Sequence, residues 1–135
     1  MGIRLLLADD NLHMADALQA VLAQEPDIQV VGVARGGAEA VRLAAELAPD
    51  VVVLDRAMPD VDGITAMRQI KKTSADVPVL ILTASTEAQV AEGALAAGAA
   101  GFVAKDAAFE ELAIAIRTVF EKKVYMSSRF RRRLA

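Results

Sequence analysis

Short apolar segments alternate with longer amphipathic segments along the chain. The apolar segments are rich in Val, Ile and Leu and are mostly continuous, a pattern typical of parallel strands that are covered on both faces. They predict five strands, at 3–8, 28–33, 51–54, 77–82 and 101–104. Between them, apolar positions recur every three or four residues in segments rich in Ala, Leu, Glu and Arg. These segments predict five helices, at 12–24, 37–47, 64–72, 88–97 and 109–120.

Strict alternation of strand and helix predicts an α/β fold. Right-handed crossovers then place helices on both faces of a five-stranded parallel sheet. This is the flavodoxin-like, doubly wound (βα)5 arrangement, with strand order 2-1-3-4-5. With 135 residues and 55% hydrophobic content, the chain has the size of one domain and the composition of a folded one.

The net charge of −3 hides two opposite regions. Residues 1–120 carry 9 basic and 17 acidic side chains, whereas residues 121–135 carry 6 basic and 1 acidic. An acidic body argues against direct binding of nucleic acid and is compatible with a cation site. No uncharged stretch approaches the ~20 residues of a membrane span, and the chain has no Cys. We therefore expect a soluble, cytoplasmic protein that does not bind a membrane.

Polar side chains follow four of the predicted strands. In a parallel sheet these positions share one edge, where ligands bind. They are Asp9-Asp10, Asp55, Thr83 and Lys105-Asp106. Clustered carboxylates repel one another unless a cation compensates them, and Mg²⁺ suits an oxygen-rich site that also holds a phosphoryl group. Asp55 is the best placed nucleophile for such a group, which would make an aspartyl phosphate.

Four ordered motifs resemble those of the receiver domain of two-component response regulators. The match spans about residues 3–120 and rests on Leu7-Ala8-Asp9-Asp10, Val53-Leu54-Asp55 with residues 58–63, Leu82-Thr83-Ala84, and the segment 97–106. The resemblance implies a phosphorylation-activated signalling switch rather than a conventional enzyme. It also implies that a sensor histidine kinase supplies the phosphoryl group.

The resemblance assigns a role to each residue of the acidic pocket. Asp9 and Asp10 would bind Mg²⁺, with Asp10 as the more direct ligand and Mn²⁺ as an alternative ion. Asp55 would be both the phosphoacceptor and a metal ligand. The backbone carbonyl of Ala57 would complete the protein ligands.

Three further residues would respond to the phosphoryl group. The resemblance implies that Lys105 pairs with the phosphate and that Thr83 turns toward its oxygens. Phe102 would be the aromatic side chain whose rotamer follows Thr83. The resulting conformational change would control homodimerisation or an output domain.

Finer features resemble the NarL/FixJ class, in which a LuxR-type helix-turn-helix domain follows the receiver. They include Lys105-Asp106 and the segments 32–40 and 115–127. We therefore predict a receiver domain over 1–121 and a basic linker over 122–135. That linker, with its arginines at 129 and 131–133, would lead to a DNA-binding domain that this chain does not contain, and DNA would be bound only through that domain.

Several other interpretations are weaker. Asp9 or Asp10 could simply cap the first helix. A phosphatase of the haloacid dehalogenase type would need a second carboxylate where this chain has Ala57, and a nucleotide-binding module would need a glycine-rich loop after the first strand. The principal alternative is a receiver-like interaction module that works without phosphorylation.

Overall fold

A computed structural model describes residues 2–85 and 88–127, apart from the side chain of residue 88. Within these ranges six parallel strands form one sheet in the order β2-β1-β3-β4-β5-β6. The strands are β1 (Ile3–Ala8), β2 (Ile28–Ala34), β3 (Val51–Asp55), β4 (Val79–Thr83), β5 (Gly101–Ala104) and β6 (Tyr125–Met126). The helices are α1 (Leu12–Leu22), α2 (Gly37–Leu47), α3 (Gly63–Thr73), α4 (Ala88–Ala96) and α5 (Ala108–Phe120). A short 3₁₀ helix, Lys105–Ala107, connects β5 to α5.

The predicted doubly wound α/β fold is confirmed. All five predicted strands and all five predicted helices are present, and β1 to β5 follow the expected order. The sixth strand was not predicted, and it lies within the segment 122–135 that the sequence assigned to a linker. Residues 128–135, with the arginine cluster, lie outside the described residues.

Two apolar layers cover the sheet. One contains Leu6, Val52, Ile81 and Phe102 from the strands together with buried residues of α2, α3 and α4. The other contains alternate residues of the same strands, such as Leu5 and Val53, packed against α1 and α5. Because β1 and β3 are buried almost throughout, their ends are held firmly, which fixes the positions of the polar residues there.

Local chemistry explains why some elements differ in length from the prediction. β4 begins at Val79 rather than residue 77, because Pro78 has no N–H to donate to the ladder, although its carbonyl accepts from the N–H of Val52 at 3.0 Å. α1 begins after Asn11, whose side chain accepts from the N–H of Met14. Asn11 is thus the helix cap, and the interpretation of Asp9 or Asp10 as that cap is wrong.

Ion pairs attach α5 to the segment that precedes β2. The Arg117 guanidinium donates to both carboxylate oxygens of Asp27 at 2.8 Å and also pairs with Glu25. The hydrogen bond from Arg117 lowers the pKa of Asp27. None of the described helices combines the length and the apolar character needed to cross a membrane.

A methyl group at Gly63 is expected to disturb the loop that follows β3. A Cβ there would lie 2.5 Å from the carbonyl oxygen of Asp55 and 2.9 Å from the Cα of Arg56, which are backbone atoms that cannot rotate away. We expect Gly63→Ala to lower the free energy of unfolding by about 1–3 kcal/mol in urea titrations. Gly93→Ala in α4 is the matched control, because its Cβ would meet no atom within 4 Å. The control should match the wild type or exceed its stability by up to about 1 kcal/mol; equal stability of the two variants would contradict the expected clash.

Candidate functional site

The carboxyl ends of β1, β3 and β5 bring the predicted acidic and basic residues together. Asp9 directly follows β1, Asp55 is the last residue of β3, and Lys105 directly follows β5. Because the three strands are parallel, these residues share one edge of the sheet. The sequence-based expectation that these side chains converge is met by the geometry.

Three carboxylates form a compact group at this edge. Asp9, Asp10 and Asp55 each offer one carboxylate oxygen, and these oxygens all lie within 4.8 Å of one another. Asp9 and Asp55 are buried, whereas Asp10 is exposed. The group therefore combines two desolvated carboxylates with one that remains open to solvent, so an ion could reach it.

Lys105 supplies a positive charge directly against this group. Its Nζ lies 2.9 Å from Oδ2 of Asp55 and 3.7 Å from Oδ2 of Asp9. The Lys105 side chain is 26% exposed, whereas both carboxylates are enclosed. One ammonium thus faces the two buried carboxylates.

Asp9 retains an unused oxygen. Its Oδ1 accepts a hydrogen bond from the N–H of Asn11 at 2.9 Å. Its Oδ2 is buried and has no hydrogen-bond partner among the described residues, with Lys105 Nζ beyond hydrogen-bond distance. A buried carboxylate oxygen without a donor is costly, and a bound cation satisfies it.

Burial raises the pKa of Asp55. The neighbouring charge of Asp9 raises it further, while the hydrogen bond and charge of Lys105 and the N–H of Ala57 lower it. The Ala57 N–H donates to Oδ1 of Asp55 at 3.2 Å. Desolvation is the largest of these effects, so the negative charge on Asp55 is held at a cost that a further cation would relieve.

Thr83 and Phe102 occupy different parts of this region. Thr83 is the last residue of β4 and is buried, and its Oγ1 accepts from the N–H of Ser85 at 3.1 Å. In the sheet register it lies beside Ala104, the residue before Lys105. Phe102 is fully buried in the layer formed with α2, α3 and α4. Thr83 therefore lies at the site edge, whereas Phe102 lies in the core two residues before the end of β5.

The loop between β3 and α3 contains two carboxylates whose roles the sequence did not reveal. Asp60 accepts from the N–H groups of Gly37 and Ala38 at 2.9 and 3.1 Å, and these bonds lower its pKa. It thereby fastens the loop to the N-terminus of α2. Only the Gly36-Gly37 pair hints at so close an approach, since a Cβ on Gly36 would meet the Asp60 carboxylate at 2.8 Å.

Asp62 is the second of these carboxylates and caps α3. It accepts from both the N–H and the hydroxyl of Thr65 at 2.9 Å, and the N–H bond is the main cause of its lowered pKa. The Asp62-Gly63 pair in the sequence does signal a turn, but not the cap itself. Both loop carboxylates are therefore used to hold the backbone around residue 57.

The residues present fit a hard divalent cation. The donors are carboxylate oxygens, one of them buried and without a hydrogen bond, and oxygen ligands are those that Mg²⁺ prefers. Few protein ligands leave room for water and for phosphate oxygens on the ion. The site thus combines a cluster of three carboxylates, two of them buried, with one ammonium, a set of groups whose chemistry is compatible with a cation and a phosphoryl group.

Comparisons with known proteins agree with this geometry. The family model described as the response regulator receiver domain matches residues 5–117. Response regulator GacA of Pseudomonas aeruginosa is 36% identical over 133 residues, covering 98% of this chain and 62% of its own length. Transcriptional regulatory protein LiaR of Bacillus subtilis is 37% identical over 127 residues, covering 94% and 60%. The chain therefore spans about three-fifths of these curated relatives.

A solved structure gives the same result for the fold. The crystal structure of a LuxR-family two-component response regulator from Aurantimonas sp. superposes with a TM-score of 0.95 at 30% identity, covering 99% of this chain and 96% of that one. This neighbour agrees with the subgroup expected from the residues. The ordered carboxylates at the ends of β1 and β3, the lysine after β5 and the match over 5–117 lead to one assignment: the chain belongs to the response regulator receiver domain family.

Proposed function

We propose that this chain is a phosphorylation-activated switch of a two-component system and that Asp55 is its phosphoacceptor. The observation that carries the proposal is the Asp55 carboxylate itself. It is buried at the end of β3, 2.9 Å from the Lys105 ammonium and within 4.8 Å of two further carboxylates. Such an arrangement suits a nucleophile that must receive a highly charged group.

The proposed reaction is an in-line transfer from the phosphohistidine of a sensor histidine kinase. A carboxylate oxygen of Asp55 attacks phosphorus and the P–N bond breaks, with its electron pair returning to the imidazole ring. The product is an acyl phosphate on Asp55. The Lys105 ammonium, already 2.9 Å from the carboxylate, is placed to pair with the phosphoryl oxygens as their charge approaches.

The acidic pocket would hold the metal ion of this reaction. Asp9, Asp10 and Asp55 would contribute carboxylate oxygens, and Ala57 its backbone carbonyl. Mg²⁺, or Mn²⁺ in its place, would neutralise charge between the carboxylates and the transferring group when bound. The N–H of Ala57 already bonds to Asp55, so the loop backbone and the acceptor are held together before any ion binds.

Thr83 and Phe102 would convert phosphorylation into a conformational change. The Thr83 hydroxyl accepts a bond from Ser85 and keeps its own proton to donate, so a phosphoryl oxygen can become its acceptor. Movement of Thr83 would change the space available to the Phe102 ring on the neighbouring strand, and the rotamer of Phe102 would change with it. The phosphoryl group would thus shift an equilibrium between two arrangements of the strand-end loops.

The relatives and the exposed apolar side chains support a proposal for the partners. LiaR is described as a transcriptional regulatory protein, and we propose a cytoplasmic role in transcription control that also requires a DNA-binding output domain. Among the described residues, several large apolar side chains are exposed on or next to α5 and α1. They are Leu12, Phe109, Ile114, Phe120 and Val124. The exposed apolar side chains of α5 support the proposal that the phosphorylated form makes a homodimer through a face that includes this helix.

Acetyl phosphate with Mg²⁺ should add one phosphoryl group to the wild-type chain, as measured by intact mass. Asp55→Asn should gain none, because an amide cannot form the acyl phosphate. Lys105→Met should slow uptake by about 10²-fold, since one charge-stabilising group is lost. Lys72→Met, an exposed lysine of α3, is the matched control and should react like the wild type. Equal uptake by Asp55→Asn and wild type would refute the proposal, and no uptake by the wild type would favour the phosphorylation-independent alternative.

Asp55→Asn should be more stable than the wild type at pH 7 in the absence of divalent ions. Burial raises the pKa of Asp55, so the protonated carboxyl group favours the folded state. This contribution to stability is fully present below the pKa of the unfolded state and is lost as pH rises through the pKa of the folded state. We expect a gain of roughly 1 kcal/mol in urea titrations at pH 7, vanishing near pH 3. Asp16→Asn, an exposed carboxylate of α1, should change stability by less than about 0.5 kcal/mol at either pH. A gain that persists unchanged at pH 3 would show that charge is not its cause.

Mg²⁺ should stabilise the wild type at pH 7, and EDTA should reverse the effect. At about ten times its dissociation constant, a ligand of the folded state alone adds about 1.4 kcal/mol. Asp16→Asn should respond equally, whereas Asp9→Asn should respond much less, because it loses the negative charge and one oxygen of a carboxylate that has a buried, unsatisfied oxygen. Thermal unfolding followed by circular dichroism measures the shift. An equal Mg²⁺ effect on Asp9→Asn would place the ion elsewhere.

A further inference from the structure

The chain after α5 returns to the sheet instead of leaving it. β6 runs parallel to β5, with Tyr125 beside Gly101 and Met126 beside Phe102. The N–H of Tyr125 donates to the carbonyl of Ala100 at 3.1 Å, and the N–H of Ser127 donates to the carbonyl of Phe102 at 3.0 Å. Residues 125–127, which we call the edge segment, are thus bonded to the backbone on both sides of Gly101.

This contact depends on the missing side chain of Gly101. A Cβ at that position would lie 2.1 Å from the carbonyl oxygen of Tyr125 and 3.0 Å from its nitrogen. Both are backbone atoms, so no rotamer change can relieve the clash. Any other residue at 101 would push the edge segment away from β5.

Side chains of the edge segment anchor it in both layers of the core. Tyr125 is buried in the layer that contains α5, and its hydroxyl lies 2.7 Å from Oε1 of Glu111. Met126 packs against the opposite layer, which contains Phe102. Ser127 is fully buried. The segment is therefore packed as part of the domain, although the sequence assigned it to a linker.

The same strand that holds the edge segment also carries the residues of the site. β5 is only four residues long, contains Phe102, and is followed at once by Lys105, whose Nζ is 2.9 Å from Oδ2 of Asp55. Lys105 is thus three residues from the carbonyl that binds Ser127. A change in the group that pairs with Lys105 would therefore act on β5. On the side away from β4, this strand is hydrogen-bonded to residues 125–127.

We infer that the edge segment is a coupling element: the state of Asp55 changes its pairing with β5, and its pairing changes the affinity of the site for a phosphoryl group. The inference rests on the proposed phosphorylation of Asp55. It adds a route through the sheet backbone by which the signal reaches the chain beyond residue 127. Because coupling between two sites is reciprocal, the effect of phosphorylation on the edge segment and the effect of the edge segment on phosphoryl affinity must have the same sign.

The forward direction has a built-in reporter. Tyr125 is the only tyrosine and the chain has no tryptophan, so intrinsic emission in the tyrosine band reports on the edge segment alone. Titration of the full chain with beryllofluoride and Mg²⁺ should give a saturable change in this emission, and none in Asp55→Asn. In amide exchange measured by NMR, the N–H groups of Tyr125 and Ser127 should change their rates by about fivefold or more.

Intact mass after acetyl phosphate treatment distinguishes a failure of the coupling from a failure of the proposed phosphorylation of Asp55. If Asp55 takes up the phosphoryl group while emission and both exchange rates stay constant, the coupling is refuted and the proposed function stands. If the wild type takes up none, the proposed function fails and the coupling falls with it.

The reverse direction uses Gly101→Ala, with Gly93→Ala as the matched control because its Cβ would meet no neighbouring atom. We expect Gly101→Ala to change the affinity for beryllofluoride by about fivefold or more, and Gly93→Ala to leave it unchanged. If exchange shows that phosphorylation loosens the edge segment, affinity must rise in Gly101→Ala; if it tightens the segment, affinity must fall. Opposite signs would overturn the inference.

A second variant covers the case in which Gly101→Ala does not fold. Tyr125→Phe keeps the ring in the core and removes only the hydroxyl that contacts Glu111. It should shift beryllofluoride affinity by about twofold in the same direction as Gly101→Ala. An affinity identical to that of the wild type in Tyr125→Phe, with Ser127 exchange altered by the substitution, would also overturn the inference.

Discussion

The ion pair between Lys105 and Asp55 is the interaction on which the site depends. At 2.9 Å two opposite unit charges attract by about 6 kcal/mol at an effective dielectric constant of about 20. Two carboxylate oxygens at the upper limit of 4.8 Å repel by about 3.5 kcal/mol under the same conditions, and the group contains three carboxylates within that limit. Attraction and repulsion are therefore of the same order. A single ammonium holds the cluster together without neutralising it, which leaves the site ready for a further cation.

The rest of the molecule supplies the stability that such a cluster requires. β1, β3 and β4 are almost fully buried between two apolar layers, so their ends are fixed while the carboxylates are desolvated. Asp60 and Asp62 hold the loop after Asp55 by accepting hydrogen bonds from backbone N–H groups. Asp60 accepts at the start of α2, and Asp62 accepts at the start of α3. Acidic residues near the site thus divide into two kinds. Those at strand ends create unsatisfied charge, and those in the loop are satisfied by helix N-termini.

The sequence predicts what depends on local pattern and on topology. Continuous apolar runs predict the five strands. Parallel topology predicts that Asp9, Asp55 and Lys105 lie at the same edge of the sheet. The roles of Asp60 and of β6 depend instead on contacts between distant residues. Asp60 binds N–H groups 23 and 22 positions earlier, and β6 is a two-residue strand set by the absence of a side chain at Gly101. Neither contact produces a periodic signal, because a hydrophobicity pattern records neither backbone N–H donors nor the space left by the absent side chain of a glycine.

The cost of burying Asp55 would also make the proposed site responsive to a ligand. A carboxylate whose pKa is raised by desolvation stores unfavourable free energy in the folded state, and any ligand that removes this cost stabilises the conformation to which it binds best. In the proposed switch, Lys105 would transmit that change to β5, because it contacts the carboxylate and directly follows the strand. If the cluster were fully neutralised by the protein alone, a phosphoryl group would find no imbalance to relieve. In the proposed function, the incomplete compensation of charge at the sheet edge is therefore what would allow this fold to act as a switch and not only as a scaffold.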